Sequence, residues 1–332
     1  MQQTQWSRRG FLGAAGAAGL LIATACSAGK SANGGPAGGP VTIKHTFGET
    51  TIPAPPKRVV SAGFTEQDSL LAVGVVPIAT TAWWGDEPFA VWPWATSALG
   101  GAQPTVLNLD DGIQVDKIAA LKPDLIVAIN AGCDADTYQK LSAIAPTLPQ
   151  SGFAPFFEPW KDQATAIGTA VFQADKMASS IADVDKKFTD AAAANPAFKD
   201  KKVLLLQGTT QWENSVIATR PGWSTEFLTQ LGFTIADSIA PFGRERDNRA
   251  YIPLDKIGPV LDAADVLIWT TESDEEGAAL LADPNIAALR AIKQNRYVFT
   301  GKELAGAIAF SSVLSYPVVA DRLPPLLAKA LG

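Results

Sequence analysis

Residues 160–194 constrain the fold most. The stretch has no proline and one glycine, Gly168. Apolar side chains recur at Trp160, Ala164, Ile167, Val171, Ala174, Met177, Ile181, Val184 and Phe188, three or four positions apart. That spacing gives an α-helix one apolar face. A helix is therefore expected across the segment 156–195, stopping before Pro196, with Gly168 and Gln173 as the places where it would break. The chain on either side has a different rhythm. Short apolar runs at Arg58–Ala62, Val75–Thr81, Leu125–Ile129 and Ala145–Leu148 read as strands, with helices at Thr65–Val73 and Asp134–Ile144 between them. Beyond the connector, strands at Lys202–Leu206, Val266–Trp269 and Tyr297–Thr300 alternate with helices at Thr225–Leu231, Asp283–Ile292 and Ser311–Leu331. Strand–helix alternation with short links builds parallel sheets covered on both faces. The expected fold is α/β, with two Rossmann-like lobes (41–155 and 196–332) joined by one long rigid helix and a ligand cleft between them. A length of 332 residues suits two lobes better than one oversized core, and 47% hydrophobic residues exclude a disordered chain.

A weak repeat supports two related halves. Val115-Asp116-Lys117-Ile118, followed by Leu121-Lys122-Pro123-Asp124-Leu125-Ile126, recurs as Leu254-Asp255-Lys256-Ile257, followed by Leu261-Asp262-Ala263-Ala264-Asp265-Val266. Each copy is a short helix that feeds an apolar strand through an aspartate.

The first forty residues do not belong to either lobe. Ser7-Arg8-Arg9-Gly10-Phe11-Leu12 is a twin-arginine pattern, and an apolar run to Ala25 follows it, too short to span a bilayer but right for a signal peptide (1–25). Ile22-Ala23-Thr24-Ala25-Cys26 resembles a bacterial lipobox, which implies lipidation of Cys26; plain cleavage after Ala25 is the alternative. Residues 26–40 are Gly, Ser, Ala and Pro-rich and read as a flexible tether. Export would remove Arg8 and Arg9, leaving 25 basic against 33 acidic residues, a net charge of -8 in place of -6. Such a balance disfavours nucleic acid as a partner.

One histidine (His45) and two cysteines (Cys26 and Cys133) cannot assemble a His/Cys metal cluster. No phosphate loop and no Gly-x-Ser-x-Gly elbow is present, so no catalytic residue, resident metal or cofactor is expected, and the chain reads as a non-enzyme. The tryptophans are uneven. Trp83, Trp84, Trp92 and Trp94 fall within twelve residues that also hold two prolines and fit neither helix nor strand. The segment follows a strand, where α/β folds carry ligand loops. These rings form either a binding wall or packing at the rim of the lobe. Trp212 and Trp223 flank a second post-strand region and carry the same two readings. Four of ten arginines, Arg220, Arg244, Arg246 and Arg249, cluster in loop-like sequence. They suit capture of carboxylate or hydroxamate oxygens, or else are solvated loop charges beside Glu245 and Asp247.

The ordered segments Arg58-Val59-Val60, Asp68-Ser69-Leu70-Leu71-Ala72-Val73-Gly74, Leu121-Lys122-Pro123-Asp124-Leu125-Ile126 and Leu141-Ser142-Ala143-Ile144-Ala145-Pro146-Thr147 resemble the substrate-binding lipoproteins of iron ABC importers. Trp92-Pro93-Trp94-Ala95 is similar to their actinobacterial ferric-siderophore branch. The resemblance implies a monomeric, lipid-anchored extracytoplasmic protein that takes a ferric siderophore and delivers it to an ABC transporter permease. It also implies that Asp116 and Asp255 dock on permease arginines, although the family prefers glutamate there; a first-turn carboxylate favoured by the helix dipole is the local alternative. Haem or cobalamin on the same fold, an enzyme exported by the twin-arginine route, and a scaffold lipoprotein are the other readings. Haem would need an axial ligand, and with His45 lying before the first core strand, Tyr138, Tyr251, Tyr297 or Tyr316 would have to serve.

Overall fold

The computed structural model describes residues 39–152, 154–209, 214–244 and 248–332. The expected signal peptide, Cys26 and most of the tether lie outside these residues, as do Trp212 and Arg246. Thirteen strands are seen among the described residues: β1 (Val41–His45), β2 (Gly48–Ile52), β3 (Val59–Ser61), β4 (Ala79–Thr81), β5 (Thr105–Leu107), β6 (Leu125–Ala128), β7 (Thr147–Pro149), β8 (Lys202–Gln207), β9 (Ser215–Thr219), β10 (Thr234–Ile235), β11 (Arg249–Pro253), β12 (Val266–Thr270) and β13 (Tyr297–Phe299).

The N-terminal sheet is fully parallel, in the order β5-β4-β3-β6-β7. Helices cover both of its faces, which is why Leu125–Ala128 is apolar at every position and fully buried. The C-terminal sheet runs β11-β9-β8-β12-β13, with β10 also paired to β8. Its β8, β10, β12 and β13 are parallel, and β9 alone runs against them, paired antiparallel with both β8 and β11.

The repeat has a structural meaning. Asp124, just before β6, accepts hydrogen bonds from the backbone N–H groups of Lys57 (2.9 Å) and Arg58 (2.7 Å) at the entrance to β3. Asp265, just before β12, accepts one from Lys202 N–H (2.8 Å) at the start of β8. In each lobe an aspartate fastens the central strand to its neighbour, so the halves are related in topology as well as in sequence.

The connector departs from the expected single rod over 156–195. Pro159 caps its start, and it consists of two helices, Trp160–Ala170 and Ala174–Ala194. Phe172 breaks it in the left-handed region (φ 59°), a conformation costly for a bulky residue. The break folds Met177 onto Gly168: a Cβ at Gly168 would come 2.5 Å from the Met177 Cβ. The first helix packs on the N-terminal lobe and the second on the C-terminal helix Tyr316–Leu331. The described residues from Gly39 to Gly332 form one compact unit. One buried cluster runs from Val59 and Leu125 through Trp160, Met177 and Phe188 to Leu204 and Ile268. At its centre lies the buried Tyr316, edge-on to Trp160 (5.2 Å) and Phe188 (5.6 Å). The lobes therefore share a core.

Other boundaries also shift. The final helix begins at Tyr316, not Ser311, and Gly301–Phe310 forms a separate helix before it. The helix expected at Asp283–Ile292 divides into Pro284–Ala287 and Arg290–Lys293. The hairpin β1–β2 precedes the first lobe strand and is tied to β7, where Thr50 Oγ1 donates to the Thr147 carbonyl (2.6 Å).

Candidate functional site

The carboxyl ends of β4, β8 and β12 face a cavity of about 650 Å³ between the lobes. Parallel sheets expose their ligand loops at this edge. From the N-terminal lobe come Trp83 and Trp84, directly after β4, and Phe157. They belong to a continuous aromatic slab. Phe156 stacks on Phe64 (5.8 Å, 20°), Phe64 on Trp83 (5.5 Å, 24°), and Trp84 stands edge-on to Trp83 (6.1 Å, 87°).

Two buried groups hold the slab. The Asn130 Oδ1 accepts from Phe157 N–H (2.8 Å), and its Nδ2 donates to the Phe64 carbonyl (3.1 Å). Glu66 in turn accepts from the backbone N–H groups of Asn130 (2.8 Å) and Gly63 (3.0 Å). Burial pushes the Glu66 carboxyl up to about 8 against these hydrogen bonds. Phe157 itself has φ 58°, so the Asn130 contact holds a conformation that bulky residues avoid.

The facing wall is polar. Gln207 ends β8 and Thr209 follows it, Thr270 ends β12 and Glu272 follows it, and Arg249 and Asn248 come from the start of β11. Gly208 allows this convergence, since a Cβ there would stand 2.6 Å from the Thr270 carbonyl oxygen. Glu276 also lines the cavity. Its Oε2 accepts from Glu272 N–H (2.6 Å), and its own N–H is capped by Ser273 Oγ (3.2 Å), the N-cap of the helix Asp274–Ala282. Partial burial, and then the charge of Glu276, raise the Glu272 carboxyl above its ordinary value, with Lys302 opposing.

The tryptophan cluster divides. Trp83 and Trp84 line the cavity; Trp92, expected in the same wall, is 1% exposed and offers no face to it. Its ring edge enters a slot made by two glycines from different lobes, Gly85 and Gly306, at both of which a Cβ would overlap the ring. It stacks on Trp94 (4.9 Å, 10°). Trp94 is half-buried, and its Nε1 donates to Asp68 Oδ2 (2.8 Å). The same Asp68 oxygen accepts from Ser312 Oγ (2.6 Å), across the lobes. Burial pushes the Asp68 carboxyl up to about 6. Trp223 is half-buried in a single 3-10 turn and lies outside the cavity lining.

The arginines divide too. Arg249 lines the cavity. Arg220 crosses Gly243 to donate from Nη1 to the Arg244 carbonyl (2.9 Å), and the Arg244 guanidinium lies 3.8 Å from the centre of the Tyr251 ring. Neither lines the cavity. Asp116, in the first turn of the helix Val115–Ala120, and Asp255, in the 3-10 turn Leu254–Lys256, are both exposed. Sequence reasoning passed over Phe157, Gln207, Glu272 and Glu276. The strand-end rule that singled out Trp83 also applies to Gln207, the last residue of β8, and to Glu272, which follows the equally apolar β12.

Among the described residues, no group of three His, Cys, Asp or Glu is placed to hold a metal. No His, Tyr, Met or Cys is found among the described residues that line the cavity. His45 and Tyr138 bond each other (3.2 Å) behind the hairpin, and burial pushes the Cys133 thiol up to about 12.

A model of the periplasmic binding protein family matches residues 59–304. The chain belongs to that family. This periplasmic binding protein is 32% identical over 257 residues to a Bacillus subtilis (strain 168) protein named "Probable siderophore-binding lipoprotein YfiY", covering 76% of each chain. Its fold matches a periplasmic solute binding protein from Mycobacterium smegmatis with a TM-score of 0.83 and 62% identity, over 89% of this chain and 99% of that one. The ferrichrome complex of PiaA from Streptococcus pneumoniae shares the fold (TM-score 0.72) at 23% identity, over 87% of this chain and 98% of the other.

Proposed function

We propose that this periplasmic binding protein captures a ferric siderophore outside the cytoplasm and hands it to an ABC importer, and that it is not an enzyme. The cleft carries the reading: an aromatic slab faces a wall of hydrogen-bonding side chains, and none of the described lining residues is a His, Tyr, Met or Cys that would serve as an axial ligand for haem. Such a cleft suits iron already wrapped in an organic chelator. The name of the Bacillus relative supports it. Export by the twin-arginine route, a lipid on Cys26 and a monomeric state complete the proposal. Asp116 and Asp255, exposed at matching places in the two lobes, would meet permease arginines. The shared core favours limited lobe closure on a largely preformed site.

The test is a tryptophan-fluorescence and thermal-melt titration with ferric hydroxamates, ferric catecholates, ferric citrate, haem and cobalamin. A ferric siderophore should quench Trp83 and Trp84 and, at a hundredfold excess over Kd, stabilise the fold by about 2.7 kcal/mol. Response to haem or cobalamin alone, or to none of the panel, would overturn the reading.

A further inference from the structure

The charge of the cleft separates classes of chelate. Among the described residues lining the cavity, the ionisable side chains are Arg249, Glu272 and Glu276, a formal charge of one negative. Arg220 and Arg244 do not line the cavity.

One acceptor on this wall also lacks a donor. Gln207 Oε1 is buried without a hydrogen-bond partner. Gln207 pairs in register with Thr270, two residues before Glu272, and Glu276 stands in the first turn of the helix that follows, with its Oε2 on Glu272 N–H. Lys302, the cation that acts on Glu272, has its ammonium on Glu87 Oε1 (2.9 Å) and on the Gly85 carbonyl. A carbonyl oxygen and two carboxylates in one partly desolvated wall favour a ligand that brings cationic N–H donors, and they oppose one that brings negative charge.

We infer that Glu272, Glu276 and Gln207 form a receptor for a pendant ammonium, so that the cleft selects ferric hydroxamates with a free amine over anionic ferric catecholates and citrates. This rests on the ferric-siderophore reading above. The iron(III) trihydroxamate core is neutral, so a single ammonium makes the chelate cationic, whereas an iron(III) tris-catecholate is trianionic. The uncharged polar residues and the aromatic slab serve the core; the acidic wall reads the substituent.

The probes are ferrioxamine B, with one ammonium, its N-acetylated derivative, without it, and ferric enterobactin, a trianion. Each is titrated into the full chain by tryptophan fluorescence at low and high salt. Ferrioxamine B should bind about fivefold or more tightly than the acetylated form, and enterobactin more weakly than either. The ratio of the first two should shrink in high salt and fall to within about twofold in the Glu272→Gln/Glu276→Gln double variant. Glutamine at 276 keeps a side-chain oxygen to accept from the backbone N–H of residue 272. Glu272→Gln alone removes a carboxylate with no protein hydrogen bond to lose and should reduce the ratio at least about twofold. Equal affinities in the wild type, a ratio that survives both variants, or a preference for enterobactin would overturn the inference while leaving siderophore binding intact. No binding of any chelate would remove the siderophore reading and this inference together.

Discussion

Replacing Gly306 by alanine tests whether Trp92 is a fixed wedge between the lobes. A Cβ at Gly306 would lie 2.5 Å from Cη2 and 2.7 Å from Cζ3 of Trp92. Ordinary carbon contacts are about 3.5–4.0 Å, so about 1 Å of overlap must be relieved. The indole has nowhere to go. Gly85 borders the same ring, Trp94 stacks on its face at 4.9 Å, and Phe310 packs edge-on at 5.8 Å. Overpacking of this kind costs about 1–3 kcal/mol. Alanine in place of a helical glycine regains about 1 kcal/mol. The net expectation is a loss of up to about 2 kcal/mol, or a fall in Tm of up to about 3 °C for a chain of this size. Circular-dichroism melts measure it. In a Trp92→Phe background the overlapped ring edge is gone, and the same glycine substitution should become neutral or stabilising. A Tm that rises on Gly306→Ala in the wild type, or shifts equally in both backgrounds, would refute the wedge.

Further outcomes follow from the same contacts. Asp68 ionises near pH 6 in the fold, against an ordinary value of 3.8. Its protonated form is favoured by folding, so that stabilisation is present at low pH and is lost as pH climbs from about 4 through 6. The stability of Asp68→Asn relative to the wild type should therefore rise across this window, by up to about 3 kcal/mol; a flat difference in urea titrations would contradict it. Asp124 fastens two backbone N–H groups and Asp265 one. At about 1 kcal/mol per hydrogen bond, Asp124→Ala should cost about twice as much as Asp265→Ala, and an equal or reversed order in denaturant melts would count against the pairing. Asp116→Arg and Asp255→Arg should lower siderophore-dependent iron uptake by cells while leaving ligand affinity unchanged; normal uptake in both would sink the docking role.

Much of the architecture was legible because periodicity reports burial. Leu125–Ala128 and Val266–Trp269 are apolar throughout since both faces of each sheet are covered, and the aspartate repeat marks the matching step in each lobe. The helix Gly301–Phe310 was not legible. It holds six buried residues, Leu304 to Ile308 and Phe310, and so lacks the one-sided rhythm that announces a surface helix. The hairpin β1–β2 was missed for the opposite reason: it is short, half-exposed, and fixed by Thr147 and Gln150 about a hundred residues away.

The sequence by itself determined that two α/β halves flank a helical connector, that ligand loops follow the apolar strands, and that tryptophans stand in one of those loops. These are local properties of residue spacing and composition. Only the tertiary structure decided which of them meet a ligand. Trp84 and Trp92 lie eight positions apart in one loop, yet Trp92 is taken into the interior because Gly306, from the other lobe, leaves a slot the size of its ring edge. Arg249 reaches the cleft, while Arg244 rests on Tyr251. Such outcomes depend on the shape of a distant partner, and a residue's own neighbours in the chain hold no record of that shape.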